Sequence, residues 1–125
     1  MQLLVVTFNL KDLTDADYRQ ACVDEAPAFA ALPGLLSKTW LADEATNTYG
    51  GVYAFVDRDA LDAYLGGDLF RGFATDPTLP NLTATAFEIL DVPGAITRGL
   101  AAPNPVATIE WLPRHGFVPT ARRAA

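Results

Sequence analysis

The order of apolar segments leaves this chain few folds to choose from. Residues 3–10 are apolar and β-branched and read as a strand. Thr14 then reads as a helix N-cap, with Asp15 and Asp17 in a first turn where the helix dipole favours negative charge. Tyr18, Cys22, Phe29 and Leu32 follow at spacings that share one helical face, and Pro33-Gly34 ends the element. Pro27 lies inside this stretch. A proline removes a backbone donor and crowds the preceding turn, so a kink or a split into two helices is expected there. Residues 35–41 and 49–56 read as two strands of a hairpin, joined by the polar turn 43–47. Asp57 caps a second helix carrying Leu61, Tyr64 and Leu65, which Gly66-Gly67 closes. A short turn over 68–73 and a fourth strand over 82–90 complete the series.

The succession is β-α-β-β-α-β. It predicts an α+β fold of the ferredoxin-like type, with a four-stranded antiparallel sheet. Strand alternation puts Leu36, Lys38 and Trp40 on one face of the second strand, and Leu35, Ser37, Thr39 and Leu41 on the other. In the third strand Tyr49, Gly51, Tyr53 and Phe55 share a face. The opposite set, Gly50, Val52, Ala54 and Val56, is small or aliphatic, and a helix is expected to pack there. Paired glycines inside a strand point to a bulge or to a close approach by another group.

Residues 1–92 are expected to form this domain, and residues 93–125 a Pro- and Arg-containing extension that lends an arm or strand to a partner subunit. Residues 1–92 carry net charge −9, whereas Arg98, Arg114, Arg122 and Arg123 against Glu110 give the remainder +3. The tail therefore either lies on an acidic body or is simply solvated. The whole chain has net charge −6, which argues against nucleic acid, whose phosphates call for a basic face. No apolar run approaches the ~18–20 residues of a membrane span. Cys22 is the single cysteine and forms no disulfide within the chain, so a cytoplasmic location is the expectation. No cysteine–histidine cluster offers a metal site, and no glycine-rich phosphate loop is present.

Three stretches together carry a family resemblance. They are Pro33-Gly34-Leu35-Leu36-Ser37-Lys38-Thr39-Trp40, then Tyr49-Gly50-Gly51-Val52-Tyr53-Ala54-Phe55, then Asp59-Ala60-Leu61-Asp62-Ala63-Tyr64-Leu65. As a set they resemble the YdhR-type putative monooxygenase family of the dimeric α/β-barrel superfamily, related to the antibiotic-biosynthesis monooxygenases. The resemblance covers about residues 1–92. It implies a homodimer whose sheets pair face to face, with a pocket between helices and sheet in each subunit. It also implies a small aromatic substrate and O₂, no cofactor, and a place in secondary metabolism.

The candidate catalytic residues are Trp40, Lys38 and Tyr53. Trp40 offers a stacking surface and an indole donor; the alternative is a core or interface tryptophan. Lys38 would steady a phenolate or enolate; the alternative is a salt-bridged lysine. Tyr53 would donate to a substrate oxygen, or else be a buried ring with a satisfied hydroxyl. Phe55, Tyr49, Phe73 and Asn9 are the candidate substrate-binding residues, Asn9 having a strand-end turn role as its alternative. His115, the one histidine, is either a base in a folded-over tail or part of an exposed loop. Cys22 reads as a small buried residue. These residues suit a cofactor-independent monooxygenase of an electron-rich aromatic or polyketide-like molecule. An oxygen-independent cyclase or isomerase, and a non-catalytic ligand-binding dimer, are the alternatives.

Overall fold

A computed structural model describes residues 1–99. The chain divides into two units, residues 1–88 and residues 89–125. Residues 100–125 of the expected extension, His115 among them, lie outside the described residues.

In the first unit the elements are β1 (Gln2–Phe8), α1 (Asp15–Ala30), β2 (Leu35–Asp43), β3 (Thr48–Phe55), α2 (Arg58–Leu65), α3 (Asp68–Ala74) and β4 (Thr83–Glu88). The strands form one antiparallel sheet in the order β2-β3-β1-β4, the ferredoxin-like arrangement expected from the sequence. In the second unit, α4 (Asp91–Ile96) is the described helix. Among the described residues no helix is long and apolar enough to cross a membrane.

Both expected caps form. The Thr14 side chain accepts from the Asp17 N–H at 3.1 Å, and the Asp57 carboxylate accepts from the Ala60 N–H at 2.9 Å. The expected break at Pro27 does not occur, and α1 runs through it. Pro27 falls in the last turn, so little helix remains beyond it to disrupt. The carbonyl it leaves without a partner belongs to Val23, which is 68% exposed and open to water.

The core lies on one face of the sheet. Leu4, Val6 and Phe8 of β1 and Tyr49, Tyr53 and Phe55 of β3 meet Tyr18 and Phe29 of α1 and Leu61 and Tyr64 of α2. The helices thus cover the aromatic side of β3, not the Gly50, Val52, Ala54 and Val56 side expected from its small residues. Rings bury far more apolar area than these small residues do, and that area decides which face is covered.

The second departure is in β2. Leu35 pairs with Phe55 and Ser37 with Ala54, leaving Leu36 as an extra residue in a bulge. Leu35 therefore faces the core with Lys38 and Trp40, while Leu36 is 49% exposed. Strict alternation had assigned these two leucines the other way round.

Candidate active site

Between α1 and the sheet lies a cavity of about 90 Å³, lined among others by Tyr18, Cys22, Glu25, Lys38, Trp40, Tyr53 and Phe73. Lys38 enters it from β2, opposite Tyr53 of β3. Its Nζ lies 3.4 Å from the ring centroid of Phe29 and 3.4 Å from that of Trp40, with Tyr53 at 4.7 Å and Phe73 at 5.9 Å. The rings also pack on one another: Phe29 meets Trp40 edge-on at 5.1 Å and stacks on Phe73 at 5.5 Å.

Lys38 can lie here because Gly51, on the neighbouring strand, has no side chain. A Cβ at position 51 would stand 2.8 Å from Lys38 Cε. Gly50 answers to a different neighbour, since its Cβ would fall 1.9 Å from the Val6 carbonyl oxygen. The glycine pair thus marks close approaches, while the bulge sits in the opposite strand.

None of the ion pairs among the described residues includes Lys38. Burial pushes its pKa down from the usual 10.5 to about 7, with the nearby Cys22 and Glu25 side chains opposing the shift. The ring faces also favour the ammonium form. The lysine is thus poised to exchange a proton near neutral pH inside an apolar enclosure. Burial raises the Cys22 thiol, keeping it protonated.

Tyr53 lines the cavity, but its hydroxyl is engaged with that of Tyr64 at 2.9 Å. Desolvation raises both phenols, Tyr64 to about 12. Tyr18 is 8% exposed and also lines the cavity, with its hydroxyl held far from ionisation by burial and then by the Cys22 thiol.

The sequence-derived residues therefore separate. Lys38, Trp40, Tyr53 and Phe73 converge on the cavity. Phe55 is fully buried in the core. The Tyr49 hydroxyl donates to Asp15 at 2.5 Å, and this bond raises its pKa to about 12. The same bond, followed by Arg19, lowers the Asp15 carboxyl. Asn9 ties loops together: its amide donates to the Asn47 carbonyl at 2.6 Å, and its oxygen accepts from Asn81 at 2.8 Å. Phe29, Tyr18 and Glu25 were not foreseen as site residues. Their signal was the α1 spacing that placed Tyr18, Cys22 and Phe29 on one face.

A larger hollow of about 500 Å³ lies over Pro33, Val56, Ala60, Ala63, Tyr64 and Leu69. It is more open than the Lys38 cavity and holds no amine or thiol.

The fold has solved counterparts. A protein of unknown function from Nitrosomonas europaea is 22% identical, with 84% of this chain and 94% of that one covered and a TM-score of 0.61. SnoaB, a cofactor-independent oxygenase from Streptomyces nogalater, is 23% identical over 70% of this chain and 91% of its own, with a TM-score of 0.57. The heme-degrader MhuD from Mycobacterium tuberculosis is 16% identical over 72% of this chain and 96% of its own, with a TM-score of 0.58. At these identities the likeness establishes the fold alone. No curated protein matches the chain. The family described as "Putative mono-oxygenase ydhR" matches residues 3–100, and the chain belongs to that family.

Proposed function

We propose that the chain is a cofactor-independent monooxygenase of an electron-rich aromatic or polyketide-like small molecule, with Lys38 as its base. The observation that carries this reading is an amine in a cavity lined by Trp40, Tyr53 and Phe73, with its Nζ against the Phe29 ring and burial lowering its pKa to about 7. Family membership supports the reaction class.

The neutral amine takes a proton from an acidic CH₂ conjugated to aromatic rings and a carbonyl. The ammonium so formed stays beside the anion and stabilises it where water is excluded. The anion gives one electron to O₂, and the resulting radical pair couples through a C–O bond. The ammonium returns its proton to the terminal oxygen, giving a hydroperoxide on a carbon that keeps one hydrogen. Loss of that hydrogen with the terminal OH releases water and leaves a ketone. The net change, CH₂ plus O₂ to C=O plus H₂O, balances with the substrate as the sole reductant.

A cavity of about 90 Å³ is small beside the roughly 300–1,000 Å³ of drug-sized ligand sites. A multi-ring substrate enters as Phe73 moves outward on α3. This helix has no side-chain cap and no fully buried residue, so it is the least anchored wall. The sheet face away from α1 and α2, with Leu3, Val5 and Val52 half-buried and Phe87 51% exposed, pairs with a second copy in this reading, which light scattering would detect as a doubled mass.

Oxygen uptake with anthrone-like compounds tests the proposal. Uptake is expected to saturate, to rise with pH through about 7 as Lys38 loses its proton, and to fall sharply in Lys38→Ala and Trp40→Phe. Uptake unchanged in Lys38→Ala overturns the assignment of the base. Equal product formation in air and under argon would replace the oxygenase with an isomerase or cyclase using the same lysine.

A further inference from the structure

We propose that the Lys38 amine also captures small aldehydes and ketones covalently, as imines. This goes beyond the oxygenase reading and does not rest on it, because the reaction needs no O₂.

An amine forms imines readily when it is uncharged, reachable and not tied to a carboxylate. Lys38 meets these conditions by geometry. Its Nζ sits against ring faces, outside every ion pair among the described residues. The cavity beside it has room for a carbonyl compound of a few carbons, and Gly51 leaves the side chain free to lie along the sheet. Burial supplies the neutral amine near pH 7. The other polar groups lining the cavity are Tyr18, Cys22, Glu25, Tyr53 and Asp76. Asp76 is already bonded to Thr78, and the Tyr53 hydroxyl to Tyr64. Glu25 is exposed, lines the same cavity and forms no ion pair with Lys38.

The Nζ lone pair forms a C–N bond to the carbonyl carbon as the C=O π pair moves onto oxygen. A proton passes from nitrogen to that oxygen, giving a carbinolamine. The C–O bond then breaks and the oxygen leaves as water, while the nitrogen loses its second proton and forms C=N. Amine plus carbonyl gives imine plus water, with no net change in oxidation.

The chain has two lysines, so it carries its own comparator in the exposed Lys11. The protein would be treated under argon at pH 7 with propanal and cyanoborohydride, which delivers hydride to the imine carbon and fixes the adduct as a secondary amine. Peptide mass spectrometry would then give separate rates for the Met1, Lys11 and Lys38 peptides. Lys38 is expected to be propylated at least tenfold faster than Lys11. That advantage should vanish in urea, which exposes both residues alike. Lys38 modified no faster than Lys11 in the folded protein overturns the inference. Oxygen uptake on the same preparation keeps the two readings apart: labelling without uptake leaves carbonyl capture standing alone, and uptake without preferential labelling does the reverse.

Discussion

Replacing Lys38 with methionine should make the protein more stable near neutral pH, although it removes a residue at the centre of the site. The side chains are similar in length and methionine carries no charge, so the rings of Phe29 and Trp40 keep an apolar neighbour. The magnitude follows from proton linkage. The folded-state pKa is depressed to about 7 from 10.5, so between these values the unfolded chain binds the extra proton. The wild type is therefore destabilised below pH 7, and it regains stability as pH rises from about 7 toward 10.5. At about 1.4 kcal/mol per pKa unit the full penalty is on the order of 5 kcal/mol, of which roughly 3 disappears between pH 7 and pH 9.5. Cation–π contact with the rings favours the ammonium by about 1–2 kcal/mol and reduces both figures. Lys38→Met is thus expected to exceed wild type by about 1–3 kcal/mol at pH 7, with the gap narrowing steadily toward pH 9.5. Urea denaturation of both proteins at several pH values measures it, and the difference cancels every other titrating group. A variant less stable than wild type at pH 7, or a gap that does not depend on pH, would refute the buried, uncompensated lysine.

Two further substitutions probe its surroundings. Gly51→Ala puts a methyl 2.8 Å from Lys38 Cε, so it should cost about 1–3 kcal/mol in denaturant unfolding and raise the apparent pKa of the lysine as Nζ is pushed toward water. Tyr64→Phe leaves the buried Tyr53 hydroxyl without its 2.9 Å partner, so a loss of about 1–3 kcal/mol is expected by the same measurement; no loss would mean that water already serves that hydroxyl.

Much of this arrangement was legible in the residues themselves, where the signal is local. Thr14 and Asp57 cap their helices because a short polar side chain reaches the third residue beyond it, and that requires nothing distant. Lys38, Trp40 and Tyr53 come together because they share a face across paired strands. The rest depended on packing that no single segment encodes. Which side of β3 the helices cover is decided by total buried area, and the aromatic side wins over the small one. Phe29 joins the site only once α1 lies across β2 and β3. Asn9 looked suited to a pocket because it follows a strand, but Asn47 and Asn81, far off in sequence, hold its side chain. The wall of rings was present as single letters; Leu35 shares the core face with the lysine through one extra residue.

That residue is Leu36. Strand pairing has a period of two, so the bulge lets Leu35 and Lys38, three apart in sequence, face the core together. Loss of codon 36 would remove the bulge and leave the two residues two apart, still on one face. Loss of codon 39 would have no bulge to absorb it, and would set Lys38 and Trp40 on opposite faces. The bulge is thus a place where the second strand can shorten by one residue without dismantling the cavity.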